Sequence, residues 1–291
     1  MSDTLAFTVI IPAHNEEAVI ARCLDAMRRD APDDHAMQII VAANGCTDAT
    51  VALARAAAPE AIVLDIPEGS KTLAMNIAHK SALNFPRIYL DADVQCSYRS
   101  LLAVAKVLTE PGVMAASPSL RLDLSRSNAS MKSYYRVWLT QPYVKRAMVG
   151  SGCYGLSAAA HARIGDFPRI TGDDIWVHSR FPEHERRNVA QDEHGEDVFV
   201  LVSPPRRAID QIRVETRRRL GNLEVMRDHP SPHYHGSNKA GDLRGALREG
   251  ASLADVAIYL AIKLSVRLRI AWVRPRRSKI VWERDLAARK G

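Results

Sequence analysis

The stretch "YLDADV" ends an apolar run with two carboxylates one residue apart, Asp91 and Asp93. On an extended or tightly turning segment alternate side chains share a side, so this spacing can aim both carboxylates at one point. Hard oxygen donors of this kind suit Mg2+ or Mn2+, which complete their shells with water and substrate phosphates. A strand that simply stops in polar residues would look the same in isolation, so the surrounding elements have to decide.

Those elements alternate regularly over the first 120 residues. Apolar, β-branched runs at 7–12, 38–43, 61–66, 87–91 and 113–117 predict strands, and alanine- and leucine-rich stretches at 15–29, 48–58, 71–83 and 97–109 predict helices. Short, nearly uninterrupted apolar strands alternating with helices imply a parallel sheet covered on both faces. Ligands of such sheets sit at the C-terminal strand ends. There the sequence reads "PAHNEE", "NGCTDAT", "PEGSKTLAMN" and "DADVQ", each polar and rich in carboxylate, amide, lysine or glycine. Asn15, Thr47 and Ser70 stand where helix caps belong. Four such segments in succession on one sheet edge exceed what caps alone require. Past residue 120 the pattern loosens into "YYRVWLTQPYV", a small-residue segment "GSGCYGLSAAAHARIG", the acidic "TGDDIWV" and a strand at "VFVLVS".

The composition, 47% hydrophobic and 25% charged over 291 residues, is that of a folded chain with one large core or two modest ones. A net charge of +7 favours anionic partners, but no nucleic-acid-reading signature accompanies it, and the excess concentrates at 206–219 and 263–290. Cys23, Cys46, Cys96 and Cys153 form no C-x-x-C pair, which argues against zinc and fits a reducing cytoplasm. "MSDTLAFTVI" carries no basic region followed by a long apolar stretch, so no secretory signal is expected.

"TVIIPAHNEEAVIARCLDAM", "VAANGCTDATVALA", "GSKTLAMNIA" and "YLDADV", followed by "GDD" and then "ETRRRLGN", together resemble glycosyltransferase family 2. The landmarks span about residues 7–222. The resemblance implies an α/β GT-A fold, a Rossmann-like, mainly parallel sheet flanked by helices, here with a basic, partly helical C-terminal extension. It implies a domain over 1–225, with a nucleotide-sugar half (1–120) and an acceptor half (121–225), and the extension over 226–291. The implied activity is inverting transfer of a sugar from a nucleotide-diphosphate sugar to an acceptor hydroxyl, with Mg2+ or Mn2+.

Residue by residue, the resemblance places Pro12, Asn15 and Glu16 near the nucleotide's base and ribose. Asn44 stands where the family more often has an aspartate that pairs with the base; an amide both donates and accepts, so the base stays open. Lys71 matches a basic residue near the nucleotide, or else a solvated helix start. Asp93 is implied as the cation ligand, with Asp91 on the ribose, a metal-bound water or the metal itself. Asp174 matches the catalytic base, and Asp173 replaces a glutamate beside it; the pair could also cap a helix starting near Ile175, which can coexist with catalysis. Arg219 matches an arginine that closes over the diphosphate, against a solvated basic face. His233 or His235 is a candidate further metal ligand, against an ordinary polar loop.

Two rivals stay open. A sugar nucleotidyltransferase would begin with a glycine- and arginine-rich loop, which "PAHNEE" lacks; a non-catalytic nucleotide-sugar-binding protein would not need Asp91, Asp93 and Asp174 together. "GSGCYG" matches a dinucleotide fingerprint in letters but follows the wrong strand. In 251–273, Asp255, Lys263, Arg267 and Arg269 interrupt the apolar stretch, which excludes a simple span. The segment reads as an interfacial helix with its cations on one face, or as a helix packed on the domain. With "RPRRSK" after it, peripheral contact with anionic lipid on the inner face of the cytoplasmic membrane is expected.

Overall fold

The chain's β-branched runs pair as expected. In the structure, a computed structural model describing residues 5–145, 150–233 and 242–273, the elements follow in the order β1 (Phe7–Ala13), α1 (Ile20–Arg28), β2 (Met37–Asn44), α2 (Thr50–Ala57), β3 (Ile62–Ile66), α3 (Lys71–His79), β4 (Arg87–Leu90), β5 (Val94–Cys96), α4 (Tyr98–Val107) and β6 (Ala115–Leu122). Then come α5 (Ala129–Trp138), α6 (Pro142–Lys145), β7 (Cys153–Leu156), α7 (Ala158–Ile164), α8 (Asp173–Arg180), β8 (Arg186–Val189), β9 (Phe199–Val202), α9 (Ala208–Asp228), α10 (Leu243–Arg248) and α11 (Leu253–Val273).

The sheet runs β3-β2-β1-β4-β7-β6-β9-β5, with β8 beside β6. Pairing is parallel among β3, β2, β1 and β4, so these strands all end on one edge. β7, which comes from the second half of the chain, lies antiparallel between β4 and β6, so the sheet is mainly parallel, as expected. Its sequence, "CYGL", gave little strand signal because Gly155 faces a site without room for a side chain. A Cβ there would lie 2.5 Å from Leu108 Cδ1, so glycine lets β7 pass close beneath α4.

Among the described residues, compactness divides the chain into one unit of residues 5–121 and 150–202, and a second of 122–145, 203–233 and 242–273. This is a different division from the motif-based one at 225. In the first unit, apolar side chains of β1, β2 and β4 pack against α1 and α4 as the core, with Phe7, Ile11, Leu24, Met27, Leu101 and Val104 fully buried. In the second, α5, α9, α10 and α11 share a smaller core around Met131, Tyr134, Tyr135, Tyr259 and Ile262.

The helix α11 starts at a capping box, with Ser252 Oγ accepting from the Asp255 amide and Asp255 Oδ2 from the Ser252 amide. Asp255 also takes two bonds from Arg136 of α5. One face of α11 packs inward through Tyr259, Ile262 and Val266, while Leu253, Leu260, Leu264, Leu268 and Trp272 are exposed. The expected cationic face is therefore corrected: Lys263 turns inward, because a buried carboxylate, Glu215, awaits it at 2.5 Å. Among the described residues no helix is long and apolar enough to cross a membrane.

Candidate active site

The helix α1 starts at Ile20, later than the predicted 15–29, because Asn15 adopts a left-handed φ of 52° and the chain turns before it can coil. "PAHNEE" is thus a loop at the end of β1. Asn15 and Thr47, expected as caps, instead join the loops after β1 and β2: Asn15 Oδ1 accepts from the Thr47 amide at 2.7 Å. Asp48 braces the same junction, accepting from the amides of Thr50 and Glu17. The Glu16 amide donates to Thr50 Oγ1 at 2.6 Å, and Glu16 is buried. Pro12 pairs in register with Ala42 inside the sheet. Asn44 is buried, and its Nδ2 donates to the carbonyls of Ala13 and Ala42. An ionised aspartate could donate neither bond, which gives the amide at this position a structural reason.

Ser70 does cap α3, accepting from the Leu73 amide. The cap starts the helix so that Lys71, its first residue, faces the end of β4. Lys71 Nζ lies 2.8 Å from Asp91 Oδ1 and 3.0 Å from Asp173 Oδ1. Of the two readings for Lys71, the solvated helix start is the one the structure overturns. Burial works against its charge, but Asp173 and Asp91 outweigh it and hold its pKa well above the ordinary lysine value.

Asp91 is fixed by its backbone: its amide donates to the Gly152 carbonyl at 2.8 Å, and its carbonyl accepts from Val94, closing the turn that carries Asp93. A Cβ on Gly152 would lie 2.7 Å from Val94 Cγ1 and 3.4 Å from Asp91 Oδ2. Glycine, at φ 83°, is what lets β7 enter beside the aspartates. Asp173 and Asp174 form the first turn of α8, whose N-cap is Gly172 without a side-chain cap. The alternative role of the pair as a helix cap is not realised, and Asp174 Oδ1 accepts from the next amide, Ile175. A Cβ on Gly150 would stand 3.2 Å from Asp174 Oδ2, so that segment too is kept bare beside a carboxylate. Burial first, and then the charge of Asp173, raise the Asp174 pKa above the ordinary aspartate value. A carboxylate shifted this way is a better proton acceptor than a solvated one.

Two positioning side chains escaped the sequence reading. Tyr154 of β7 donates its hydroxyl to Asp173 Oδ2 at 3.0 Å, and its ring packs 5.1 Å from that of Tyr89. Asn76 of α3 clamps the segment leading to α8: its Nδ2 donates to the Phe167 carbonyl and its Oδ1 accepts from the Phe167 amide, both at 2.9 Å. The letters "AMN" contained Asn76, but only the fold shows its partner, 91 residues away.

The structure therefore brings Lys71, Asp91, Asp173 and Asp174 together, with Asp93 two residues beyond Asp91. Among the described residues no group of three or more His, Cys, Asp or Glu forms a ready-made metal cage. The donor set still fits Mg2+ or Mn2+, which usually take one or two carboxylates and leave the remaining positions to water and phosphate. Asp91 already pairs with one cationic group, the Lys71 ammonium, and keeps 38% of its side chain exposed. His233 lies in a turn, its amide donating to Ser231 Oγ, and His235 falls outside the described residues. Arg219 belongs to the second unit, on α9, where its Nε is 3.7 Å from Glu215 Oε1. That buried Glu215 also accepts from Tyr134 and Lys263 was not foreseen from "ETRRR".

The profile described as Glycosyl transferase family 2 matches residues 8–156, just over half of the 291-residue chain. The chain belongs to glycosyl transferase family 2. It is an enzyme of that family, with the GT-A fold. The matched stretch covers the loops after β1 to β4, Lys71, Asp91, Asp93 and Tyr154, and stops short of Asp173, Asp174 and Arg219. Among curated proteins no sequence matches significantly. Solved structures do. A mannosyltransferase from Pyrobaculum calidifontis, in complex with GDP-Man and Mn2+, is similar at a TM-score of 0.61 and 19% identity, over 92% of this chain and 87% of that one. Glucosyl-3-phosphoglycerate synthase from Mycobacterium tuberculosis, in complex with Mn2+, UDP and glucosyl-3-phosphoglycerate, is similar at 0.54 and 18%, over 78% and 81%.

Proposed function

We propose that this family 2 glycosyltransferase is cation-dependent and inverting, moving a sugar from a nucleotide-diphosphate sugar onto an acceptor hydroxyl. The observation that carries the reading is the convergence of Asp91 and Asp173 on one ammonium, with Asp174 adjoining and its pKa raised. In this reading the donor lies across the ends of β1, β2 and β4, with Pro12, Asn15, Glu16, Asn44 and Lys71 on the nucleotide side. Asp91 and Asp93 would hold Mg2+ or Mn2+, which supplies neutralisation of the charge developing on the leaving diphosphate. The Mn2+ and the GDP or UDP nucleotides bound to the two structural neighbours support that choice.

Asp174 is the base: it takes the acceptor hydroxyl's proton as the oxygen attacks the anomeric carbon, and the diphosphate departs from the opposite face. Asp173 is assigned a positioning role beside it, its two oxygens held by Lys71 and Tyr154. The same reading places the enzyme in the cytoplasm, peripherally on anionic lipid. The exposed Leu260, Leu264, Leu268 and Trp272 of α11, followed in sequence by "RPRRSK", support that placement.

Donor binding and transfer, measured on two variants, test the assignment. Asp93→Ala is expected to lose Mn2+-dependent nucleotide binding together with transfer. Asp174→Asn is expected to bind donor as before while transfer falls by about 10²- to 10⁴-fold, the range for losing a general base. Near-normal turnover in Asp174→Asn would remove the base assignment.

A further inference from the structure

Lys71 has two carboxylate partners of unequal standing. Asp173 is almost sealed, with its side chain 5% exposed and its second oxygen bonded to Tyr154. Asp91 keeps 38% of its side chain exposed at the open end of β4. Both place an oxygen within 3.0 Å of the same Nζ. One partner is therefore a fixed anchor and the other faces incoming ligand. The lysine itself is a compact point charge on a flexible four-carbon stem, with three donors it can re-aim.

We propose that Lys71 is a placeholder cation: it occupies Asp91 in the donor-free enzyme, keeps a divalent ion off that carboxylate, and yields it when a nucleoside diphosphate arrives. This rests on the reading of Asp91 and Asp93 as the cation's carboxylates. An ammonium and a divalent ion on one carboxylate repel each other in a site partly shielded from water. The ion alone must therefore displace Lys71 and leave the ammonium with Asp173 as its remaining partner. Diphosphate changes the balance, because its oxygens accept from Lys71 while also ligating the ion. Asp173, pinned by Tyr154, holds Lys71 nearby throughout. The consequence is a coupling: nucleotide tightens the ion and the ion tightens nucleotide by the same factor.

Mn2+ titration followed by electron paramagnetic resonance tests this without turnover. Wild type, Lys71→Met and Lys71→Arg are each titrated alone and with saturating UDP or GDP. Wild type is expected to bind Mn2+ at least ~10-fold more tightly with a nucleotide than without, within the usual range of site coupling. Lys71→Met is expected to bind Mn2+ alone ~10-fold more tightly than wild type and to lose most of the nucleotide enhancement, whereas Lys71→Arg keeps Mn2+ alone weak. Lys71→Met no tighter than wild type, with nucleotide enhancement intact, overturns the proposal and leaves the cation reading standing. Absence of Mn2+ binding to wild type with either nucleotide removes the cation reading, and the proposal with it. If Lys71→Met does not fold, wild type decides: equal Mn2+ affinity with and without nucleotide overturns the proposal.

Discussion

Lys71 and Lys263 occupy comparable clusters with opposite charge balance. Each ammonium meets a buried carboxylate, Asp173 or Glu215, and each of those carboxylates also accepts a tyrosine hydroxyl, from Tyr154 or Tyr134. Around Lys71 the acids prevail, with Asp91, Asp173 and Asp174 acting on one lysine, whose pKa rises. Around Glu215 the bases prevail: Lys263 at 2.5 Å, Arg219 at 3.7 Å and Arg218 at 3.8 Å crowd one carboxylate. Burial and the two arginines pull the Lys263 pKa below its ordinary value, Glu215 notwithstanding. Desolvation opposes charge in both places, so the count of neighbouring charges sets the sign.

The two acids at the centre of these clusters also differ in what their ionisation does to folding. Burial pushes Glu215 up, but Arg218 and Lys263 hold it below the ordinary glutamate value. Its contribution to stability is therefore present above the unfolded-state pKa and lost as pH falls through the lower folded value. Asp174 is raised, so the folded chain holds its proton more tightly than the unfolded one, and its ionisation costs stability as pH rises past the ordinary aspartate value. One acid fastens helices α5, α9 and α11; the other is held at a cost that proton abstraction requires.

The comparison is broken most directly at Glu215. Glu215→Ala leaves a buried lysine and tyrosine without their acceptor, and a loss of about 3–5 kcal/mol in denaturant unfolding is expected. A loss below about 1 kcal/mol, the level of a surface pair, would show that the second cluster is not a fastening. A smaller effect is expected on the acid-rich side. Tyr154→Phe removes one neutral donor from Asp173 and should cost about 1 kcal/mol in stability, with kcat falling more than nucleotide affinity. An unchanged kcat would separate Asp173 from the positioning of Asp174.

The subtlest outcome concerns pH. The acid limb of the kcat/KM profile should lie above about 3.9, the ordinary aspartate value, and should disappear in Asp174→Asn. Because the same substitution removes a half-buried charge whose ionised form is disfavoured, it should raise the melting temperature at neutral pH, where Glu215→Gln lowers it. A fall in both variants would erase the contrast between the clusters.

Much of the first unit was legible as pattern. The apolar runs gave the strands at β1 to β4 and their common edge, because period and β-branching are local properties that parallel pairing then satisfies. Lys71 and Asp91 were legible as candidates because they lie just after strands, and Asp174 through the resemblance of "GDD" to the family's acidic pair. Tyr154 and Asn76 were not, since a tyrosine in "GSGCYG" and an asparagine in a helix have no local signature for partners on α8 or its approach. The alternative reading of Asn15 and Thr47 as caps fails for the same reason: these cap-type residues bond across two loops rather than to their own helices.

The sequence by itself determined the alternation of strands and helices, the positions of the acids and the basic character of the C-terminal segment, all of which depend on near neighbours. Tertiary structure alone decided that β7 runs antiparallel beside β4, that Lys71 bridges Asp91 and Asp173, and that Lys263 faces inward on Glu215. Those outcomes depend on which distant groups share a desolvated space. A charge there is governed by its neighbours in three dimensions, not by its neighbours along the chain.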